Sequence, residues 1–384
     1  MSNPPIYEHL RAKLAAVYEQ GPDPALQQFE IRTEVYLDPE RFEREQSLLR
    51  SLPMPLAHVS QLAAPGSCLV HDHLGVPVLV TRQRDGELAA MLNVCRHRGT
   101  RLVEEEGFCR LKKGFHCAYH GWTYDLGGAL SHVPRQELFP TLDRGAMALT
   151  RLPVTERFGF VWVVVTPAQS YDFDAFLDPL RSDLEPLGLQ SHVVFRRGVT
   201  TAKTHWKIVM EAFLDGYHVR HLHKKTVGPY FEGHQSYSEP AGPHVRAIVG
   251  RGGFEEALRS GSVADLREIA TPTYVFFPNT IFVAQPGFVS RATAYPLSLD
   301  EVYWEHDLII PEPPADEMAL AHWEMNYELI QNGVFKREDL WVCEQIQRGL
   351  RSGANERFTY GAEEAPIEWW HGELDRRLAR MSDG

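Results

Sequence analysis

The chain has 384 residues, 43% of them hydrophobic and 23% charged, with a formal net charge of −12. That length and balance suit a soluble globular protein of two domains, or three small ones. The acidic excess, without a basic run, excludes a tracker of nucleic-acid phosphates, and no stretch approaches the roughly 18 apolar residues of a membrane span.

The opening residues, "MSNPPIYEHLRAKLAAVYEQ", lack the apolar core of a signal peptide. Ile6, Leu10, Leu14 and Val17 recur at helical spacing, which predicts a helix over 5–20. Residues 68–165 read as all-β. Short apolar runs at 76–81, 88–94 and 122–128 are punctuated by glycine, and "FGFVWVVV" (158–165) reads as a buried strand. A linker or domain edge follows at 165–179. Next come a strand over 193–202, a long helix over about 205–222 and a glycine-rich loop region over 228–262. Strands are expected within 273–310, and two helices, about 315–331 and 336–351, close the chain. The order is a helix, a β domain and a mixed α+β domain. Five cysteines at irregular spacing do not suggest a disulfide framework, so a reducing cytoplasm is the plain reading.

Two short loops carry the first candidate site. "CRHRG" (95–99) offers Cys95 and His97, and "HCAYHGW" (116–122) offers Cys117 and His120. Each follows a β-like run and contributes one cysteine and one histidine. Two cysteines and two histidines suit tetrahedral zinc, or a [2Fe–2S] cluster in which the histidines ligate one iron and the cysteines the other. Zinc fingers normally pair like with like, so the mixed halves suit the cluster better. Cys109 and His116 read as filler, and Cys68 as a small buried hydrophobe. Arg96, Arg98 and Arg101 read as solvated, with a docking face as the sharper alternative.

The second candidate site lies in "HWKIVMEAFLDGYHVRHLH" (205–223). At helical spacing Glu211, Leu214, Asp215, His218 and Leu222 share a face. Carboxylates and a histidine on an apolar stripe need a metal or each other. Glu211 reads equally well as an exposed helix edge or as support for the site. Ideal helix geometry pairs His218 with His221, because His223 lies about 140° further round than His218. A metal site built on two of these histidines would need an acid as well. Asp339 is the candidate, since it shares a stripe with Cys343, Ile346 and Leu350, whereas Glu338 and Glu344 read as exposed charges.

"CRHRGTRL … FHCAYHGWTYDLGGAL" resembles the Rieske domain of the ring-hydroxylating, Rieske non-haem iron oxygenases, with Ala118 where the family usually has proline. That resemblance implies an α+β chain: an N-terminal helical segment (1–45), an all-β Rieske domain (46–165) and a catalytic domain (166–384) with a central antiparallel sheet flanked by helices. It implies a [2Fe–2S] cluster on Cys95, His97, Cys117 and His120. The family pattern D-x2-H-x4-H selects His223 over His221, so His218, His223 and Asp339 would bind a mononuclear Fe(II). Asp215 would link that iron to a cluster in a neighbouring subunit of a homotrimer. O2 would be the oxidant, with NAD(P)H acting only through a separate reductase, with or without a ferredoxin. Ala212 and His205 stand where many aromatic dioxygenases have asparagine, and the C-terminal "EDLWVCEQIQRGL" also looks like the choline- and betaine-oxidising branch. Hydroxylation, dihydroxylation and oxidative demethylation of an arene or a quaternary amine therefore all stay open. So does a simple electron carrier or a zinc-binding structural protein. The substrate pocket is expected to use Tyr230, Phe231, Phe276, Phe277 and Phe282, while His244, Arg246 and Arg251 read as structural or, alternatively, as carboxylate binders.

Overall fold

The computed structural model describes residues 4–111, 113–168, 170–260 and 266–382, without the side chains of 232–235 and 382. The chain divides into two compact units. One is Leu49–Ala175; the other joins the stretch before Leu49 to the chain from Phe176 onward. Among the described residues, no helix is long and apolar enough to cross a membrane.

The Leu49–Ala175 unit is built of short antiparallel strands in one five-stranded and two three-stranded sheets. The expected runs form Val78–Arg82, Leu88–Leu92 and Thr123–Tyr124. All four residues of Phe160–Val163 are buried, which is why that run is continuously apolar instead of alternating. Leu79, Met91, Phe115, Trp122 and Tyr124 form part of one core. The cysteine reading needs correction here. Cys68 and Cys109 lie opposite each other on the paired strands Ser67–His71 and Gly107–Arg110, and they form a disulfide. Their pairing depends on strand register across 41 residues, which cysteine spacing does not reveal.

The other unit is centred on a seven-stranded antiparallel sheet. In sheet order its strands are Val193–Ala202, Glu301–Ile310, Val289–Ser298, Thr280–Ala284, Ala270–Phe276, His244–Arg251 and Phe231–Ala241. The helix Pro5–Gln20 buries Ile6, Leu10 and Leu14 against Ile248, Phe254 and Leu266. Three expectations change. The glycine-rich region is a β-hairpin followed by the helix Phe254–Ser260. The long helix is broken into Trp206–Ala212 and Val219–Leu222. At the break, the Asp215 carboxylate accepts the Tyr217 N–H, a local side-chain bond that competes with helix formation. Finally, the two closing helices are one helical run, Glu317–Tyr327, Glu328–Asp339 and Leu340–Leu350, whose middle segment is π-wound. The helices Pro39–Arg50 and Ala365–Ser382 were not legible in the sequence.

Candidate metal centres

The two Cys/His loops have the same backbone design. Cys95 N–H donates to Thr100 O (2.8 Å) and Gly99 N–H to Cys95 O (2.9 Å); Cys117 N–H donates to Trp122 O (2.8 Å) and Gly121 N–H to Cys117 O (2.9 Å). Gly99 (φ +81°) and Gly121 (φ +74°) make the left-handed turns that close them. Cys95 and Cys117 are buried free thiols, whereas His97 is half-buried and His120 exposed. The two imidazoles face each other with centroids 4.7 Å apart, and His97 stacks on Trp122 at 4.8 Å. Cysteines thus lie inside and histidines outside. Among the described residues, the group whose ligand atoms gather within 4.8 Å of one another is His218, His223 and Asp339, and these four are not such a group. Split donor pairs fit a two-iron cluster better than one tetrahedral zinc ion.

Tyr124 supports the first loop. Its hydroxyl accepts the Arg96 N–H at 3.0 Å and lies 3.5 Å from Cys95 Sγ. His116 is exposed, with Nδ1 3.1 Å from Thr123 Oγ1. Arg98 lies over the Tyr119 ring and Arg101 pairs with Asp72.

The second centre forms where the broken helix meets the π-wound segment. His218 Nε2 and His223 Nε2 are 3.2 Å apart, and Asp339 Oδ1 is 3.1 Å from His223 Nε2 and 3.7 Å from His218 Nε2. The outer ring nitrogens are held by other acids: His218 Nδ1 lies 3.2 Å from Asp215 Oδ2, and His223 Nδ1 lies 2.7 Å from Glu338 Oε2. With each Nδ1–H donating outward, both Nε2 atoms keep their lone pairs facing inward. Asp339 Oδ1 is buried and accepts no aligned hydrogen bond. Three lone-pair donors facing one another over an orphaned carboxylate oxygen fit a cation. Burial pulls the His223 pKa down, but Asp339 and Glu338 outweigh it, so the net shift is upward. The helix break explains why His223, not His221, joins this group. His221 is exposed and its ring faces Tyr217.

Two acids change role. Glu338 is not an exposed charge; it also accepts the Thr226 hydroxyl at 2.6 Å. Glu344 is half-buried and accepts the Lys203 N–H. Glu211 is not an exposed helix edge either. It is buried among Tyr36 Oη (2.6 Å), His371 Nε2 (2.7 Å) and Tyr360 Oη (3.0 Å), which satisfy its charge away from the triad. His205, standing in for asparagine, is a buried N-cap whose Nδ1 accepts the Lys207 N–H.

A cavity of about 160 Å³ opens over the triad. Its walls are mainly apolar, including Phe213, Val249, Val283, Ile330 and Phe335, with hydroxyls from Ser236, Ser238, Thr271 and Thr273. Of the expected pocket aromatics only Phe231 lines it. Phe276, Phe277 and Phe282 are buried, and Tyr230 lines a neighbouring cavity. His244 is fully buried between Phe176 O and Phe277 N–H, and Arg246 pairs with Asp183 and Glu239.

A family model described as the ring hydroxylating alpha subunit (catalytic domain) matches residues 190–380, and one for the Rieske [2Fe-2S] domain matches residues 53–143. A carnitine monooxygenase oxygenase subunit from Acinetobacter pittii is 26% identical over 334 residues, covering 83% of this chain and 84% of that protein. The 2-halobenzoate 1,2-dioxygenase large subunit of Burkholderia cepacia is 25% identical over 386 residues, covering 87% and 80%. Among solved structures, a quaternary ammonium Rieske monooxygenase in complex with an inhibitor shares the fold, with a TM-score of 0.79 at 20% identity over 93% of this chain and 96% of that one.

Proposed function

Because the chain belongs to the Rieske non-haem iron oxygenase family, we propose that Cys95, His97, Cys117 and His120 hold its [2Fe–2S] cluster and that His218, His223 and Asp339 hold its catalytic iron. The protein is a terminal oxygenase component that uses O2 and externally supplied electrons. The observation that carries the site assignment is the gathering of three metal-ligating side chains, at the foot of an apolar cavity, within 4.8 Å of one another. When bound, the cluster supplies one-electron storage and the iron supplies open positions for O2 chemistry beside the substrate.

The chain's own residues do the rest. Asp215 and Glu338 fix the tautomers of His218 and His223 and aim both rings. The apolar walls exclude water from the reacting end of the substrate, and the serine and threonine hydroxyls orient it. Asp215 faces the neighbouring subunit in a homotrimer and provides the polar link toward that subunit's cluster. The electron donor is a separate reductase drawing on NAD(P)H, with or without a ferredoxin. Its substrate is a small organic molecule. The relatives' names, a carnitine monooxygenase and a halobenzoate dioxygenase, bracket a quaternary amine and an arene.

The test is spectroscopic. Anaerobically handled protein should be red-brown, give a low-average-g Rieske signal after dithionite reduction, and contain about three irons and about two inorganic sulfides per chain. Colourless protein that retains zinc after iron reconstitution overturns the assignment.

A further inference from the structure

Among the described residues Arg251 has no counter-charge, and it lies beside the reacting cavity. A second cavity, of about 300 Å³, adjoins the first, and both are lined by Val227, Phe231, Gln285 and Ile330. Arg251 ends the strand His244–Arg251 and lines this second cavity, half-buried. Its Nη1 donates to Gln285 Oε1 (2.8 Å) and Thr271 Oγ1 (3.2 Å), two neutral groups that line the first cavity. The rings of Tyr230 and Phe231 lie 6.0 and 5.9 Å from its guanidinium carbon.

The other arginines projecting from this sheet are neutralised. Arg246 meets Asp183 and Glu239, and Arg197 and Arg291 both meet Glu305 and Asp307. Among the described residues no carboxylate pairs with Arg251, and burial lowers its pKa. A partly desolvated guanidinium held only by neutral acceptors is costly unless an anion completes it. Its remaining N–H groups form a fork suited to bidentate carboxylate binding. With one fixed positive charge in the cavity, a carboxylate is matched, whereas a phosphate dianion is left half-compensated. A quaternary ammonium head at this end meets repulsion.

We propose that the substrate is an organic acid whose carboxylate docks on Arg251 while its apolar body extends into the cavity over His218, His223 and Asp339. This rests on the oxygenase reading above for what happens to the bound acid.

The test is calorimetric binding to holoenzyme whose cluster signal and iron content have first been verified. Benzoate, phenylacetate and hexanoate are each compared with their primary amides. At least one acid should bind more tightly than its amide. Arg251→Gln should weaken that acid by roughly tenfold to a hundredfold and leave the amide unchanged, and Arg251→Lys should keep the preference for the acid. Acids that bind no better than their amides, or an acid affinity that survives Arg251→Gln, overturn the proposal. Failure of the preceding spectral check sinks the oxygenase assignment instead, so the two failures are told apart in one preparation.

Discussion

Glu338 Oε2 lies 2.7 Å from His223 Nδ1, on the opposite side of the ring from Asp339, the next residue in the chain. Two consecutive acids thus grip one imidazole, one on each nitrogen, at the end of the π-wound segment Glu328–Asp339. Replacing Glu338 with alanine removes the acceptor of both His223 Nδ1 and the Thr226 hydroxyl. Iron affinity should fall roughly 10- to 100-fold, the usual cost of losing a partner behind a metal ligand. Iron retained against a chelator series measures this, with the cluster absorbance as the internal control. Unchanged retention would show that Glu338 does not orient His223.

Asp215 touches His218 at Nδ1 and lies outside the triad. Asp215→Asn preserves an amide oxygen for that nitrogen and removes the charge. Iron content should stay near the parent value while substrate-coupled O2 uptake drops by roughly tenfold or more. Full coupled turnover with iron in place would reduce Asp215 to a ring-orienting group.

Tyr124 accepts the Arg96 N–H, so its own proton is free to point at Cys95 Sγ 3.5 Å away. Hydrogen bonds to cluster sulfurs favour the reduced, more negative state. Tyr124→Phe should therefore lower the cluster potential, on the order of tens of millivolts for one weak bond. Voltammetry of the purified protein reads the shift directly, and an unchanged potential would mean that the hydroxyl does not donate to the sulfur.

Local features were legible in the sequence and distant ones were not. Val193–Ala202 coincides with the strand expected over 193–202, and Ile6, Leu10, Leu14 and Val17 all face the core as helical spacing requires. Cys95 and His97, like Cys117 and His120, lie within loops closed by their own backbone bonds, so spacing alone brings each pair into view. Helical periodicity misled at His221, because the Asp215 side chain breaks the helix before the histidines arrive. It also misled at Glu338, because π winding changes which consecutive residues share a face. The partners of Glu211, namely Tyr36, Tyr360 and His371, are 149 to 175 positions away in sequence. No window along the chain contains them. The hairpin Phe231–Arg251 was hidden by its glycines, although "HVRAIVGR" is a strand paired on both sides, next to the sheet's edge strand.

Three buried histidines should make the fold acid-sensitive. Complete burial pushes the His244 pKa down to about 3 and that of His306 down to about 4, and it drives His205 well below the ordinary value of 6.5. Each is neutral in the fold, whereas the unfolded chain protonates near 6.5. Below that pH the unfolded state binds more protons, so stability falls with decreasing pH until the folded values are reached. Above about 6.5 these groups exert no pH dependence. For His244 the window runs from 6.5 down to about 3, and the loss across it is on the order of a few kcal/mol. Glutamine at 244 can donate to Phe176 O and accept from Phe277 N–H, as the imidazole does, but it does not titrate. Urea midpoints should therefore place His244→Gln below the parent at pH 7.5, with the gap narrowing as pH falls toward 4.5. Acid release of metal affects both proteins alike and drops out of the difference. Parallel curves across that range would mean that His244 protonates alike in the folded and unfolded states, with no downward shift from burial.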